Sequence, residues 1–364
     1  MLEAHKILGA QLSEHNGTLA PENYTTIEAE YAAVRKHAAF FDLSHFGKLR
    51  VSGKDALDLI DRISTNDLTG LTPGMGKQTF LATEKGRIVD LCTVWAQQKN
   101  LLLLTSPANS ANVKKWIEKF VISDDVTVED VTELFPMLLL AGTSAAEFLS
   151  HVVQPGHKTF LDLSKMPRHN FIGAFLKTGE AFLARTNMVM NDGYIIFANR
   201  SDDESVWNLL LEHSKTYGAT PAGQETFEIM RIENGTPLYP YELNEEVNPW
   251  ETNISDAIND HKGCYVGQEV IARLQTYEKV KRRLVGLSST SKMPHGSKVY
   301  SDPSLGGNET EVGLITSSTR SPGLDKEIAL AYISLKHLIP GSKYIVRIGE
   351  KNVEAKLSIL PFLI

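Results

Sequence analysis

Lys48-Leu-Arg-Val51, followed by Ser52-Gly-Lys-Asp-Ala-Leu-Asp-Leu-Ile-Asp-Arg-Ile63, is the stretch from which the fold class follows. The first four residues alternate between polar and apolar side chains, which predicts a β-strand with one buried face. The second segment has the features of an amphipathic helix, because Ser52 is able to cap its start and Asp55 lies in an acidic first turn. Its apolar residues recur at helical spacing, at Leu57, Ile60 and Ile63. The sequence therefore predicts a strand that leads directly into a helix.

The same order of elements recurs further along the chain. Met137-Leu-Leu-Leu-Ala141 is predicted to be a buried strand, and residues 142–152 a helix that begins like the first one. Residues 182–186 and 194–198 are predicted strands joined through Asn191-Asp-Gly193, in which Asp-Gly favours a tight turn. Two copies of a strand–helix unit predict a duplicated α+β fold rather than one long doubly wound sheet.

The character of the sequence changes near residue 283. Six short predicted strands, at 284–287, 298–300, 311–316, 328–333, 343–348 and 354–359, alternate with Gly, Pro and Asp turns. This pattern is typical of a small antiparallel barrel or sandwich of about 80 residues. We place the boundary in the charged stretch Glu278-Lys-Val-Lys-Arg-Arg283, which gives an N-terminal region of residues 1–278 and a C-terminal domain of residues 279–364.

Length and composition exclude several classes of protein. The chain has 364 residues, of which 42% are hydrophobic and 22% charged, and this balance excludes wholesale disorder, collagen and coiled coil. A net charge of −7 argues against bulk nucleic-acid binding, because phosphate contacts need a basic face. The two cysteines, Cys92 and Cys264, exclude a disulfide scaffold and an all-cysteine metal site. Because no signal peptide and no apolar run of ~20 residues is present, we expect a soluble cytoplasmic protein.

The densest group of reactive and charged side chains lies in His261-Lys-Gly-Cys-Tyr-Val-Gly-Gln-Glu-Val-Ile-Ala-Arg273. Gly267 is able to bring backbone N–H groups close to a ligand there. Two plainer interpretations stay open. Glu269 and Arg273, four residues apart on a helix, can form a solvated ion pair of ~0.5 kcal/mol. Cys264 can be a small buried hydrophobe.

Two further sets of polar residues stand among apolar neighbours. Asp90 lies between two apolar residues of a predicted strand, so its carboxylate faces either solvent or a polar pocket. Strand alternation favours solvent, because charged residues are seldom buried unpaired. Arg231 and Glu233 alternate with apolar residues, and by that pattern they share one face and either pair or stay solvated. Cys92 lies in an apolar stretch and is interpreted as a packing residue.

Motifs spread over the whole chain occur in a family-specific order. They are Phe41-Asp-Leu-Ser-His-Phe-Gly-Lys48, Val51-Ser-Gly-Lys-Asp-Ala56, Thr65-Asn-Asp67, Lys85-Gly-Arg-Ile-Val-Asp90, Arg185-Thr186 with Asp192-Gly-Tyr194, Arg231-Ile-Glu-Asn-Gly235 with Leu238-Tyr239, and Lys262-Gly-Cys-Tyr-Val-Gly-Gln-Glu269. Together they resemble the glycine-cleavage T-protein superfamily. The last motif is the most specific and resembles the YgfZ-type folate-binding proteins, since T-proteins proper have Lys-x-x-Phe-Ile-Gly there, without the cysteine.

The resemblance implies a fold, a cofactor and a set of site residues. The fold is α+β, with duplicated ferredoxin-like folate-binding units (the T-protein fold) and a C-terminal antiparallel β-barrel. The cofactor is tetrahydrofolate or a one-carbon derivative, and no metal is implied. Asp90 matches the aspartate that assists one-carbon transfer near the folate N5, and Cys264 is the functional thiol. The residue types that suit the pterin and the glutamate tail are supplied by Asn191, Tyr194, Arg231, Tyr239, Lys262, Gln268, Glu269 and Arg273.

Three positions depart from the T-protein pattern. Leu91 replaces the second residue of an Asp-Asp pair, and Asn191 and Ile195 replace two glutamates. An asparagine offers neutral hydrogen bonds but no charge-assisted bidentate contact. The resemblance therefore implies two functions. One is a folate-binding accessory protein for assembly or repair of iron–sulfur proteins, and the alternative is an aminomethyltransferase whose partner is a lipoyl carrier protein.

Overall fold

The computed structural model describes residues 1–15, 17–154, 163–198, 203–302, 309–339 and 341–363. Contacts between Cα atoms divide the chain into two units, one of residues 1–81 and 90–227 and the other of residues 82–89 and 228–364. In the described ranges, every helix is too short or too polar to cross a bilayer.

Helices and strands alternate along the described part of residues 1–234. The helices are α1 (Leu2–Ile7), α2 (Ile27–Lys36), α3 (Ala56–Arg62), α4 (Ser110–Glu118), α5 (Ala145–Val152), α6 (Asp203–Tyr217) and α7 (Gln224–Asn234). The strands are β1 (Gln11–His15), β2 (Thr18–Asn23), β3 (Ala38–Asp42), β4 (Phe46–Ser52), β5 (Gly76–Ala82), β6 (Ile88–Ala96), β7 (Asn100–Pro107), β8 (Thr127–Asp130), β9 (Met137–Ala141), β10 (Phe171–Leu176), β11 (Gly179–Thr186), β12 (Gly193–Ala198) and β13 (Ala219–Pro221).

The strand–helix stretch quoted first lies in a five-stranded sheet. Its strand order is β5-β6-β7-β4-β8, and β4 pairs antiparallel with both β7 and β8. The central strands are covered on both faces, because eight of the nine residues of β6 and seven of the eight of β7 are buried. Gly47 on β4 is fixed by this packing, since a Cβ there would lie 2.2 Å from the Thr105 Oγ1. This sheet positions Asp90.

The second copy of the strand–helix order lies in a six-stranded sheet. The order is β10-β11-β12-β9-β3-β13, antiparallel except for the β13–β3 pair. Its core joins Phe40 and Tyr194 from the sheet to Phe148 of α5 and Trp207 of α6, all with 0–1% of their surface exposed. Burial of such large aromatic side chains is the main stabilising contribution of this layer.

The helix starts differ from the predictions in a consistent way. Helix α3 begins at Ala56 with Asp55 at its N-cap. Ser52 is the last residue of β4, so the predicted Ser52 cap is wrong. Helix α5 begins at Ala145, three residues after its predicted start at residue 142. In both cases a positive-φ glycine, Gly53 or Gly142, first turns the chain away from the strand.

The C-terminal part of the second unit is a closed six-stranded barrel, which confirms the predicted small antiparallel barrel. Its elements, after α8 (Gln268–Thr276), are β14 (Arg282–Ser289), β15 (Lys298–Ser301), β16 (Glu311–Ser321), β17 (Lys326–Ser334), β18 (Lys343–Ile348) and β19 (Lys351–Ser358). The order is β14-β17-β16-β15-β18-β19, and pairing of β14 with β19 closes the barrel. Its core is aliphatic apart from Tyr344 and includes Leu287, Ile315 and Val346.

Candidate functional site

Asp90 is buried in the first unit, on strand β6, with 0% of its surface exposed. Its Oδ2 accepts the Ser106 backbone N–H at 2.9 Å, and its Oδ1 accepts the Ser106 hydroxyl at 2.7 Å and the Leu91 N–H at 2.9 Å. The Asn109 side chain also donates to this carboxyl group. The solvent-facing interpretation is therefore wrong, because both faces of β6 are covered and alternation along it does not select an exposed side.

The surroundings of Asp90 place its titration near neutrality. Burial raises the pKa of the carboxyl group from 3.8 to about 6, because a charge removed from water is disfavoured. Hydrogen bonds from Ser106, Asn109 and Leu91 act in the opposite direction and limit the rise. All four donor groups are neutral, so the carboxylate keeps its full charge when ionised. A carboxyl group with this pKa can be charged at neutral pH and still accept a proton readily.

The other two first-unit residues implied by the resemblance have different environments. Asn191 is exposed, in the turn before β12. The Tyr194 ring is fully buried and belongs to the hydrophobic core around Trp207. The neighbouring Asp192 is bound by Arg185, whose Nη2 lies 3.0 Å from its carboxylate. Asn191 is therefore at the surface and Tyr194 in the core, and their roles toward a folate stay predictions.

Arg231 is the centre of a buried polar network in the second unit. Residues 224–234 form helix α7, so the strand-like alternation of Arg231 and Glu233 was misleading, and both side chains are 1% exposed rather than solvated. The guanidinium group lies 2.7 Å from the Glu228 carboxylate and 3.3 Å from that of Glu242, and it donates to the Ser317 hydroxyl at 2.9 Å. These bonds tie α7 to the barrel strand β16. A contact between Arg231 and a cofactor stays a prediction.

Tyr239 is another second-unit residue of the predicted set. Its ring is half-buried, and a cis peptide bond joins it to Pro240. The turn around it is closed by Glu242, whose carboxylate accepts the Leu238 N–H at 3.0 Å and the Ser317 hydroxyl at 2.6 Å. Tyr239 therefore borders the Arg231 network.

The segment around Cys264 is a compact loop that leads into α8. Tyr265 and Ile271 bury their side chains against Ala82, which anchors the loop from both ends. Gly267, the N-cap of α8, has φ +80°, and a Cβ there would lie 2.5 Å from the Thr83 carbonyl oxygen. Only glycine fits this position without displacement of the 82–89 turn. The close approach at Gly267 is thus to the Thr83 carbonyl of another backbone segment, and an approach to a ligand stays a prediction.

The polar side chains of this loop are on its surface. Cys264 is exposed, so the interpretation as a small buried hydrophobe is wrong, whereas Cys92 is fully buried as a packing residue. The Lys262 ammonium lies 5.6 Å above the Tyr265 ring, and the Gln268 amide donates to the Gly263 carbonyl at 3.4 Å.

Glu269 and Arg273 form the plainer of the two arrangements considered for them. They lie one turn apart on α8 and pair at 2.9 Å with 77% and 67% of their side chains exposed. The pair is therefore solvated, and its members are accessible to a ligand only at the surface.

Sequence reasoning missed Ser106 and Asn109, the two residues that hold Asp90. The available signal was the order Ser106-Pro-Ala-Asn109, which follows the apolar run of residues 101–104. Asparagine is common at the N-cap of a helix, so its position alone does not indicate a contact with a buried carboxylate. Glu242 and Ser317 were missed because they are 75 residues apart and meet only in the folded unit.

The fold and the site define a two-part α+β protein with a C-terminal barrel and a buried aspartate of near-neutral pKa. Two family models match this chain: "GCVT N-terminal domain" over residues 1–262 and "Glycine cleavage T-protein C-terminal barrel domain" over residues 282–363. The chain belongs to the glycine cleavage T-protein family. Tetrahydrofolate is the ligand that this family binds, in agreement with the predicted cofactor.

Curated relatives and a solved structure extend over the whole chain. An aminomethyltransferase of Rubrobacter xylanophilus is 33% identical over 365 residues, covering 100% of this chain and 93% of the relative. An aminomethyltransferase of Bacillus pumilus is 30% identical over 369 residues, covering 100% and 97%. The crystal structure of aminomethyltransferase T of the glycine cleavage system from Bartonella henselae superposes with a TM-score of 0.85 at 21% identity, covering 99% and 96%. This likeness confirms the predicted T-protein fold.

Proposed function

We propose that this protein is a tetrahydrofolate-dependent aminomethyltransferase in which Asp90 assists the transfer. The observation that supports this most directly is the buried Asp90 carboxyl group, which has a pKa of about 6 and accepts hydrogen bonds from neutral donors. By the resemblance of the segment Lys85-Gly-Arg-Ile-Val-Asp90 to the family pattern, it matches the aspartate that assists one-carbon transfer. The names of the full-length relatives, aminomethyltransferases, support this reaction class over the accessory function.

The chemistry of the Asp90 donor set fits the expected cofactor. Tetrahydrofolate, when bound, supplies an amine nitrogen, N5, to which a one-carbon unit is added. A carboxylate that is hydrogen-bonded only by neutral groups, among its described contacts, retains a full negative charge. In a buried environment that charge attracts a cationic nitrogen more strongly than it would in water.

Each residue around Asp90 then has a defined task. The ionised carboxylate stabilises positive charge on a nitrogen placed against it, and it accepts a proton when that nitrogen releases one. The Ser106 and Leu91 donors hold the two carboxylate oxygens in one orientation, so the charge needs no reorientation during transfer. The other implied contacts, Asn191, Tyr194, Arg231, Tyr239, Lys262, Gln268, Glu269 and Arg273, are proposals for binding.

The direct test is release of ammonia from an aminomethylated lipoyl carrier protein in the presence of tetrahydrofolate. We expect ammonia and methylene-tetrahydrofolate in equal amounts with the wild type, and a loss of at least tenfold with Asp90→Asn. Asp58→Asn is the matched control, because Asp58 is a solvent-exposed carboxylate on α3 in the same unit. Folate binding without ammonia release would contradict the proposed reaction.

A second candidate function rests on the loop around Cys264. The YgfZ-type motif Lys262-Gly-Cys-Tyr-Val-Gly-Gln-Glu269 is intact, and its thiol is exposed. These two observations favour a folate-binding accessory role in iron–sulfur protein assembly or repair, with iron–sulfur proteins as partners. In cells that depend on this protein for iron–sulfur enzyme activity, Cys264→Ala should abolish complementation while the variant keeps the wild-type melting temperature. Full complementation by Cys264→Ala would remove this candidate.

A further inference from the structure

We infer that Ser106 is a positioning residue that fixes the Asp90 carboxylate for the transfer reaction, an inference that rests on the proposed function. One residue contacts both carboxylate oxygens: its backbone N–H reaches Oδ2 at 2.9 Å and its hydroxyl reaches Oδ1 at 2.7 Å. Two bonds from one rigid point prevent rotation of the carboxylate about its Cβ–Cγ bond. Ser106 itself is 5% exposed, so water does not compete freely for either bond.

The turn after Ser106 supplies a second side chain, that of Asn109, to the Asp90 carboxyl group. Ala108 has φ +57°, a left-handed conformation that costs a residue with a Cβ about 1–2 kcal/mol. Asn109, the N-cap of α4, makes no capping bond with its side chain, which instead donates to Asp90. The chain therefore forgoes a normal helix cap and accepts a strained residue where the turn wraps around one carboxylate. Strain of this kind persists where the surrounding structure requires the conformation.

The effect of the Ser106 hydroxyl can be measured through the pKa of Asp90. A titratable neighbour of Asp90 is the Cys92 thiol, and burial, followed by the charge of Asp90, raises its pKa well above the ordinary value. The thiol is therefore neutral at physiological pH. The causes of the Asp90 pKa are burial, which raises it, and hydrogen bonds from Ser106, Asn109 and Leu91, which lower it. Loss of the Ser106 hydroxyl must then raise the pKa of Asp90 further.

The experiment compares Ser106→Ala with Ser106→Thr, which keeps the hydroxyl, in the full-length protein. We expect Ser106→Ala to move the pKa of Asp90 to about 7, since a hydrogen bond to a charged group is worth about one pH unit or more. Ammonia release would then fall about fivefold at pH 6 and about twofold at pH 7, and it would be nearly unchanged at pH 8.5. Ser106→Thr should keep the wild-type pH profile.

Two further variants and a second measurement separate the possible outcomes. Ser150→Ala is the matched control, because the Ser150 hydroxyl donates to the Glu147 carbonyl in the same unit, on α5. Ser106→Gly removes the hydroxyl in a second way if Ser106→Ala does not fold. Carbon-13 NMR of aspartate carboxyl groups, with Asp90 assigned from the Asp90→Asn spectrum, follows the titration without any need for activity.

The combined results distinguish failure of this inference from failure of the proposed function. Unchanged titration and an unchanged pH profile in Ser106→Ala, with an active wild type, would overturn the positioning role and leave the function standing. Equal loss of activity at every pH without a change in titration would also overturn it, since it indicates a merely structural role. A shifted titration in a wild type that releases no ammonia would support the Ser106–Asp90 coupling and refute the proposed reaction.

Discussion

Replacing Asp90 by asparagine should change how the stability of the protein depends on pH. In the folded protein the pKa of Asp90 is about 6, and in the unfolded chain it returns to about 3.8. The folded state thus binds the proton more tightly, and the stability contributed by this proton is fully present below pH 3.8. It is lost as the pH rises toward 6, so the wild type is destabilised across that window relative to Asp90→Asn.

The size of this effect follows from the two pKa values. The interval from 3.8 to about 6 corresponds to about 3 kcal/mol of unfolding free energy at 1.36 kcal/mol per pH unit. Most of it, about 2–3 kcal/mol, falls between pH 4 and pH 7. Asparagine also places an NH₂ group against N–H donors of Leu91 or Ser106, a mismatch of about 1–3 kcal/mol that does not depend on pH. The pH-dependent difference between the two proteins therefore isolates the burial of the charge.

The measurement is urea denaturation of wild type and Asp90→Asn at half-unit steps from pH 4 to pH 7. The difference in unfolding free energy should change in favour of the variant as the pH rises, and it should level off above about pH 6.5. Asp58→Asn, which removes a carboxylate that is 77% exposed, controls for general changes in charge. A wild type-minus-variant difference that stays constant over this range, or that changes in favour of the wild type, would refute the assignment of a raised pKa to Asp90.

Three further substitutions test the second unit. Arg231→Ala leaves the Glu242 carboxylate buried without its main cation and should destabilise the protein by about 3–5 kcal/mol, measured by chemical denaturation; a loss below about 1 kcal/mol would contradict the buried network. Gly267→Ala forces a Cβ against the Thr83 carbonyl in a left-handed conformation and should lower the melting temperature by several degrees, whereas an unchanged melting temperature would contradict the close approach. Glu269→Ala removes a solvated pair and should change stability by no more than about 0.5 kcal/mol; a larger loss would show that the pair is not merely solvated.

Much of the fold could be predicted because its elements follow simple patterns. The barrel strands are short, regularly spaced and separated by turn residues, and the structure closes them into the expected barrel. The helix boundaries could not be placed, since glycine turns such as the one at Gly53 intervene between strand and helix. A serine at the end of a strand and a serine at a helix cap look alike in sequence.

The site was less predictable, because burial and partnership are properties of the folded chain. Asp90 was expected to face solvent by a rule that holds only where one face of a strand is exposed, and β6 has no such face over most of its length. Arg231 and Glu233 have the period of a strand within a helix, where burial depends on contacts with residues 317 and 321, far along the chain. Motif resemblance found Asp90, but its donors became visible only in three dimensions.

The Arg231 network also bears on whether the barrel can fold as an independent domain. Ser317 and Ser321 of β16 hydrogen-bond to Glu242 and Glu233, and both carboxylates precede the barrel by at least 40 residues. A fragment that began at residue 282 would keep the ring of six strands but would expose Ser317 and Ser321, and the remaining chain would keep Glu242 and Glu233 without these two hydrogen-bond donors. Expressed separately, the two pieces should each be less soluble than the whole. The region that matches the barrel-domain family model, residues 282–363, is therefore smaller than the compact unit of residues 82–89 and 228–364 to which it belongs.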